Sequence, residues 1–350
     1  MSKFQSNKKN LISVIMSYYN SEKYLKQSIT SILEQTHNNL ELILLDDGST
    51  DNSSNIVDQF HDKRIIKCKN KDNLGVPISF NKLIRQAKGE YIAFMDSDDI
   101  SIKKRLEYQL NYLLTNNLDV CGSSAKTFGS FYNKRIPIIK KSKDISFLMC
   151  FGNPIINSST LFRSEVLKIF KCNESLISWD FDLYSNIILN GYTIGNTPQV
   201  LLLSRQHNSQ DSKINYTRGI RESEIISKNH FKNLKLKINK NYIENINYGY
   251  SKKILFLDYK KAIININYLI KKYRYDKDIL RIINVNLIIN TNIHIKDYFK
   301  LIYYNKRFNL EIHAKHLVFI FLKIIFKIQY SGLLFKFFRI INYFFFRGKS

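Results

Sequence analysis

The chain has few cysteines, and none of them is in a paired pattern. Cys68, Cys121, Cys150 and Cys172 are scattered without C-x-x-C spacing, so the sequence predicts neither a disulfide framework nor a zinc site. A reducing cytoplasm is the simplest setting for such a chain. The polar N-terminus leads into the apolar residues 11–16, which are too few and wrongly flanked for a signal peptide, and we expect no export.

Two further patterns are missing. No G-x-G-x-x-G follows the first predicted strand, where the loop reads SYYNSEKY, and this sets aside a dinucleotide-dependent dehydrogenase. Residues 316–350 are rich in apolar side chains, but Lys and Arg interrupt them every few positions. No window there reaches the ~18 to 20 uncharged residues that a membrane span needs.

Acidic residues are scarce in the second part of the chain. Residues 1–200 hold 25 Lys and Arg against 20 Asp and Glu, whereas residues 201–350 hold 29 against 9. The net charge of +25 therefore divides into +5 and +20. This asymmetry favours an anionic partner for the C-terminal part, and composition alone leaves nucleic acid, an anionic membrane surface and an acidic polymer open.

The last segment narrows that choice, since residues 316–350 contain no acid at all. His316, Lys323 and Lys327 fall on one helical face, with aromatic and aliphatic residues around the rest. This composition favours a basic amphipathic helix in the headgroup region of an anionic leaflet, and we predict such a membrane-surface segment over 313–350. A helix packed on the domain or on a dimer partner is the alternative. We expect no nucleic-acid partner, because the basic residues accompany apolar runs.

The first part of the chain alternates short apolar runs with amphipathic stretches. In order they read LISVIMS, SEKYLKQSITSILEQ, LELILLDD, NSSNIVDQF, RIIKCKN, ISFNKLIRQAKG and EYIAFMD. Short buried runs separated by helical periodicity are typical of βαβ units and of a parallel sheet with helices on both faces. The sequence therefore predicts an α/β domain.

Carboxylates follow two of the predicted strands. Asp46 and Asp47 come after LELILL, and Asp96, Asp98 and Asp99 come after YIAFM. Ligands of open parallel sheets bind beyond the carboxyl ends of the strands, so both groups are expected at one crevice. Crowded carboxylates repel one another unless a cation neutralises them, and Mg²⁺ or Mn²⁺ shared with substrate phosphates is the natural occupant. A solvated turn is the alternative for DDGST alone.

Four motifs in order carry a family resemblance: VIMSYYN, LLDDGSTD, NLGVPISFNKLIRQAKGEYIAFMDSDD and SWDFDLY. Over residues 10–210 the chain resembles the inverting family 2 glycosyltransferases, which have the GT-A fold. The resemblance implies a mixed, mostly parallel sheet with helices on both faces in residues 1–215, and we expect a helical C-terminal region over 216–350.

The resemblance also implies roles for residues at the nucleotide side. Ser17, Tyr18 and Asn20 would flank the nucleotide, and Asp46 and Asp47 would contact its base or ribose. The family's N-x-G turn matches Asn73 and Gly75, which we therefore assign to nucleotide-sugar binding.

A second set of implied roles concerns the metal and diphosphate. Asp98 would be the direct metal ligand, and Asp96 would lie nearer the ribose or a metal-bound water. His207 would reach the metal or diphosphate, and Arg205 would pair with phosphate or with a carboxylate near the base. Arg105, in the basic IKKRLEYQ, is interpreted as part of a solvated helix face that could also face phosphate.

The remaining roles concern the acceptor side. Inversion requires a base for the attacking hydroxyl, and the resemblance places it at Asp180, with Asp182 as a rival. The family usually has an acidic pair there, whereas here Trp179 precedes Asp180. The Trp179 ring would either stack on a sugar or pack into the domain.

The sequence thus predicts a metal-dependent transferase that moves a sugar, favoured as a UDP-sugar, to a saccharide or lipid-linked acceptor in surface polysaccharide or lipopolysaccharide synthesis. It would work in the cytoplasm, on the inner face of the cell membrane. The alternative is a catalytically silent nucleotide- or carbohydrate-binding partner in a membrane assembly.

Overall fold

A computed structural model describes residues 10–129, 135–136, 138–207, 210, 214–234, 254–255, 266, 268, 270–275 and 291–292. The chain divides into two compact units, residues 1–235 and 236–350. The first unit contains a mixed sheet of nine strands. Within the second, the short strands β10 (Ile254–Leu255) and β11 (Thr291–Asn292) pair in parallel.

Four strands form the parallel part of the large sheet: β1 (Ile12–Tyr18), β2 (Leu40–Asp46), β3 (Ile65–Lys69) and β4 (Tyr91–Phe94). They lie in the order β3-β2-β1-β4, and β1 pairs in parallel with both of its neighbours. The central strands are almost wholly buried, as near-continuous apolar runs require when helices cover both faces. The register places Tyr18 beside Asp46, so the ends of β1 and β2 coincide.

Three helices connect these strands: α1 (Leu25–Leu33), α2 (Ser53–Asp58) and α3 (Val76–Gln86). The apolar positions predicted for the first helix pack as expected, since Leu25, Ile29 and Ile32 are fully buried. Each such side chain contributes ~1.5 to 3 kcal/mol of burial free energy.

The other strands extend the sheet beyond β4 in mixed orientation. They are β5 (Ile100–Ser101), β6 (Val120–Phe128), β7 (Arg135–Ile136), β8 (Leu161–Arg163) and β9 (Ile194–Arg205). The order continues β4-β8-β6-β9-β5, in which β8 runs antiparallel to β4 and β9 runs parallel to β6. The two-residue strand β5, which the pattern did not predict, pairs with β9 directly after the acidic DSDD segment.

The described residues of the first unit also form α4 (Arg105–Thr115), α5 (Ser142–Leu148), α6 (Ser164–Ile169), α7 (Trp179–Leu189) and α8 (Tyr216–Asn233). A 3-10 turn spans Asn157–Ser159. The mixed sheet and its connecting helices confirm the predicted α/β architecture. The helix α8 follows the predicted boundary at residue 215 but belongs to the first unit, where it packs against α7.

The proposed membrane-surface segment, 313–350, lies outside the described residues. In the part of the chain that the structure describes, no helix combines the length and apolar character of a membrane span.

Candidate active site

The acidic segment after β4 lies at the carboxyl edge of the parallel strands. Asp96, Asp98 and Asp99 each present an oxygen to one place, and these three atoms lie within 4.8 Å of one another. Three hard oxygen donors at this separation suit Mg²⁺ or Mn²⁺, which the residues therefore fit.

The acidic segment is held from below by helix α1. The Ser28 hydroxyl donates to the carbonyls of Ser97 and Asp99, at 2.9 and 2.5 Å. The Ser21 and Ser97 hydroxyls lie 2.9 Å apart. These hydrogen bonds hold the backbone of the acidic segment against α1 and the loop before it.

Burial and neighbouring negative charges raise the pKa of two of the three carboxyls. Burial, together with the charges of Asp99, Asp98 and Asp180, raises the pKa of Asp96 well above its usual range. Burial and the charge of Asp98 raise the pKa of Asp99 to about 7, although the Arg205 backbone N–H, Ser158 and Arg105 oppose this. A bound cation would remove this repulsion, since it favours the ionised carboxylates.

The interpretation of Arg105 as a solvated or phosphate-facing residue is wrong, because its side chain is fully buried. Its guanidinium donates to the Phe94 and Thr160 carbonyls, at 2.9 and 3.3 Å, and to Gln109 Oε1 at 2.9 Å. Burial lowers its pKa to about 10, and the charges of Asp99 and Asp96 oppose that change. A protonated arginine thus lies beneath the acidic cluster and partly balances its charge.

Arg205 and His207 reach the acidic segment from the end of β9. His207 Nε2 lies 2.8 Å from Asp98 Oδ2, and the imidazole packs on the Tyr24 ring with centroids 4.8 Å apart. The structure therefore brings His207 to the predicted metal ligand.

The Arg205 guanidinium contacts other groups of the protein, and its predicted pairing with phosphate or with a carboxylate near the base stays a prediction. Its Nε donates to the Asp98 carbonyl at 2.8 Å and its Nη2 to Gln27 Oε1 at 2.7 Å. It lies between the Tyr24 and Phe128 rings, 4.5 and 4.4 Å from their centroids. With its backbone N–H on Asp99 Oδ1 at 2.8 Å, Arg205 holds the acidic segment against β9 and α1.

The two carboxylates after β2 organise the neighbouring loops. Asp46 Oδ1 accepts a hydrogen bond from the Ser49 N–H at 2.8 Å, and Oδ2 accepts one from the Ser54 hydroxyl. Lys69 Nζ lies 3.4 Å from the same carboxylate. Burial opposes ionisation of Asp46, but the Ser54 and Ser49 hydrogen bonds and the Lys69 charge outweigh it and lower its pKa.

Asp47 performs a similar task for the loop that precedes α3. Its carboxylate accepts hydrogen bonds from Asn70 Nδ2 and from the backbone N–H groups of Leu74 and Gly75, at 2.7, 3.0 and 2.9 Å. Gly75 has φ +89°, a conformation that disfavours side chains, and its N–H also reaches Asn73 Oδ1 at 3.0 Å. The N-x-G turn is thus built on Asp47.

Asn20 links the loop after β1 to the loop after β2. It has a positive φ of 47°, and its side-chain oxygen accepts the Thr50 N–H at 2.8 Å. Its own N–H donates to the Ser49 hydroxyl at 3.1 Å.

The two tyrosines at the end of β1 differ in their exposure. Tyr18 is 5% exposed, and burial together with the charge of Asp46 raises its pKa. Tyr19 is 45% exposed and lies directly before Asn20, while Ser17 is half-buried. The more exposed of the two rings is therefore that of Tyr19, and the contact of Tyr18 with a nucleotide stays a prediction.

Asp180 is the second residue of α7. Its Oδ2 accepts a hydrogen bond from Asn153 Nδ2 at 2.9 Å, and its Oδ1 accepts one from the Phe181 N–H at 2.8 Å. Burial raises its pKa to about 6, against these hydrogen bonds. It lies near enough to Asp96 for its charge to raise the pKa of that carboxyl. The rival Asp182 instead accepts from Asn186 Nδ2, one turn further along the helix, at 3.1 Å.

Trp179 packs into the domain. It is 7% exposed, and its ring lies 5.2 Å from the Phe80 centroid and 6.2 Å from that of Phe94. This environment corresponds to the packing alternative, and a contact between a sugar and the remaining exposed edge stays a prediction.

The sequence does not indicate that Asn153 contacts Asp180, because a single Asn in an unpatterned loop carries no signal.

Comparison with known proteins identifies the family of the chain. Residues 13–170 match Glycosyl transferase family 2. The chain is 35% identical over 240 residues to the uncharacterized glycosyltransferase MJ1057 of Methanocaldococcus jannaschii. The alignment covers 65% of this chain and 81% of that protein.

Two other similarities are informative. One, 29% identical over 228 residues, is to WfaP of Escherichia coli, a UDP-Glc:α-D-GlcNAc-diphosphoundecaprenol β-1,3-glucosyltransferase, and covers 62% of this chain and 85% of that protein. The other is in fold, to the crystal structure of residues 1–349 of S. aureus TarS in complex with UDP-GlcNAc. That similarity has a TM-score of 0.53 at 16% identity and covers 87% of this chain and 90% of that one.

Proposed function

Because the chain belongs to glycosyl transferase family 2, we propose that it is an inverting, metal-dependent transferase that uses a UDP-sugar and a saccharide or lipid-linked saccharide acceptor. The observation that supports the proposal is the acidic cluster with a further carboxylate near it. Asp96, Asp98 and Asp99 can hold a cation, and Asp180, on α7, lies near enough for its charge to raise the pKa of Asp96.

The donor side of the proposal combines an aromatic ring, fixed loops and the acidic cluster. Tyr19 offers an exposed ring to the base, beside the Ser17 and Asn20 region predicted to flank the nucleotide. Asp46 and Asp47 hold the surrounding loops and are proposed to orient the base or ribose, with Asn73 and Gly75 at the turn that Asp47 fixes.

The metal would be held by Asp98, with Asp96 and His207 nearby. When bound, Mn²⁺ or Mg²⁺ supplies charge neutralisation for the departing diphosphate. Arg205 is proposed to support the donor site by keeping the Asp98 backbone and the Asp99 carboxylate in place.

Asp180 is the proposed general base. As the acceptor oxygen attacks the anomeric carbon, its proton passes to the Asp180 carboxylate. The bond between that carbon and the diphosphate oxygen breaks, and its electron pair leaves with the nucleoside diphosphate. A pKa of about 6 suits this role, because the group is ionised at pH 7.5 yet more basic than an ordinary aspartate.

The acceptor and the place of action are proposed from likeness and charge. WfaP, by its name, transfers glucose to a sugar on diphosphoundecaprenol, and a similar lipid-linked acceptor would lie at the membrane surface. The acid-free basic segment 313–350 would hold the enzyme there, on the inner face of the cell membrane, in the synthesis of a surface polysaccharide or lipopolysaccharide.

The proposal is tested with the purified full-length protein, UDP- and GDP-sugars, Mn²⁺ and detergent, by measuring nucleoside diphosphate release. We expect release from a UDP-sugar that depends on Mn²⁺ and is lost in Asp98→Asn. The Asp119→Asn variant is the control for a change of charge, since that residue bonds Thr193 instead. Failure with every donor would contradict the enzyme and favour a silent binding protein.

A further inference from the structure

The start of helix α7, which carries Asp180, is held by helix α8. The backbone N–H groups of Ile177 and Ser178 both donate to Glu222 Oε2, at 2.7 and 2.9 Å. Free N–H groups at a helix start normally bond a side chain of the same segment. Here the carboxylate comes from a helix some forty residues further along the chain.

The side chain of Ser178 bonds α8 instead of capping its own helix. It occupies the N-cap position of α7, but its side chain makes no capping hydrogen bond there. Its hydroxyl donates instead to the Gly219 carbonyl at 3.0 Å and lies 3.1 Å from the Ser223 hydroxyl. The residue that would normally cap α7 thus binds α8.

The other oxygen of Glu222 completes the connection. Arg218 Nε donates to Glu222 Oε1 at 2.8 Å, and Arg218 Nη2 donates to the Ser175 carbonyl at 2.6 Å. Glu222 is largely enclosed, with 11% of its side chain exposed, whereas 60% of Arg218 is exposed. The loop before α7 is therefore held through both its N–H groups and a carbonyl.

A second contact fixes the orientation of α7 further along. His230 of α8 is fully buried, with Nδ1 2.8 Å from the Ser185 hydroxyl and Nε2 2.9 Å from the Ser146 carbonyl. The two helices are thus connected at the start of α7 and again two turns later. A shift of α8 would therefore move α7 with it.

We propose that Glu222 is a positioning residue that sets the place of the Asp180 carboxylate by anchoring the start of α7. Asp180 follows the anchored Ser178 by two residues, so movement of that anchor moves the base relative to the acidic cluster. A misplacement of ~1 Å can cost ~100-fold in rate. The inference rests on the proposed role of Asp180 as base.

The test compares Glu222→Ala and Glu222→Gln with Glu224→Gln, in full-length protein. Glu224 is on the same helix and pairs with Lys228 at 2.7 Å. We expect Glu222→Ala to lower kcat by ~10- to 100-fold while the KM for the UDP-sugar and the Kd for UDP with Mn²⁺ stay within about twofold. Glu222→Gln should recover part of kcat, since its carbonyl can still accept both N–H groups, and Glu224→Gln should resemble the wild type.

The pH profile of kcat gives a second readout. Displacement of the Asp180 carboxylate changes its surroundings and therefore its pKa. The acidic limb of the kcat profile should thus move in Glu222→Ala and remain in place in Glu224→Gln. A kcat within twofold of the wild type, or a weakening of UDP binding in proportion to the loss of kcat in both Glu222 variants, would overturn the inference. Asp180→Asn separates the two proposals: if it retains full activity, the assignment of the base itself fails.

Discussion

Replacing Asp180 with Asn tests the assignment of the base while keeping the shape of the side chain. General bases contribute ~10²- to 10⁴-fold to rate, which corresponds to ~3 to 5 kcal/mol of transition-state stabilisation. The amide cannot accept a proton, so we expect kcat to fall by at least ~100-fold with the donor KM unchanged. Wild-type kcat should fall by half near pH 6 as the carboxylate becomes protonated.

The same substitution has a predictable effect on folding. The folded-state pKa of Asp180 is raised from 3.8 to about 6, so the ionised form destabilises the folded protein above pH 6. That shift corresponds to ~3 kcal/mol, which we reduce to ~1 to 2 kcal/mol because the group is partly exposed and because Asn keeps only one of the two hydrogen bonds. The neutral Asn should therefore increase the free energy of unfolding at pH 8, and the gain should disappear below about pH 4.

Two assays follow from these magnitudes: steady-state release of UDP from pH 5 to 9, and urea unfolding of the metal-free protein at pH 8 and pH 4. Asp182→Asn is the matched control, because that carboxylate lies on the same helix but bonds Asn186. It should change kcat by no more than about threefold. If Asp180→Asn retains more than a tenth of the wild-type kcat, or if Asp182→Asn is the variant that loses it, the reasoning is refuted.

Three other predictions concern the donor side. Asp98→Asn should remove Mn²⁺-dependent activity, and calorimetry should show at least tenfold weaker Mn²⁺ binding, with unchanged binding counting against the metal site. Because protons compete with the metal for Asp96 and Asp99, Mn²⁺ should raise Tm more at pH 8 than at pH 5.5, and an equal effect at both would contradict this. Tyr19→Ala should raise the KM for the UDP-sugar by ~5- to 150-fold at constant kcat, which corresponds to a loss of ~1 to 3 kcal/mol of stacking, whereas Tyr108→Ala, at another exposed tyrosine, should leave KM unchanged.

The fold could be predicted because its central strands are buried on both faces. Such strands appear in sequence as short apolar runs, and the carboxylates after LELILL and YIAFM mark the places where two of them end. The convergence of those ends follows from parallel pairing, which the register of β1 with β2 and β4 confirms. The location of the acidic cluster therefore follows from residue pattern alone.

The environments of single side chains could not be predicted in this way. Arg105 stands in a basic stretch that indicates a solvated face, yet it is buried because the Phe94 and Thr160 carbonyls offer it partners from distant parts of the chain. Arg205 likewise meets the Phe128 ring through the pairing of β6 with β9, and the Tyr24 ring comes from the residue before α1. Long-range partners of this kind leave no periodic signal in the sequence.

The donor side and the Asp180 side of the proposed site are built from different elements. This difference helps to decide whether the protein is an enzyme or a catalytically silent binding protein. The loops after β1, β2 and β4 that make the donor side lie within the part of the chain that matches the family, 13–170, and Arg205 and His207 join them from β9, whereas Asp180 and its anchor are on α7 and α8. Contacts among β1, β4, α1 and β9 hold the donor side together. None of the described contacts of the acidic segment involves α8. Displacement of α8 should therefore leave nucleotide and metal binding intact while transfer is lost. Binding of UDP alone cannot distinguish an enzyme from a silent relative, and the discriminating measurement is transfer in variants that alter only the Asp180 side.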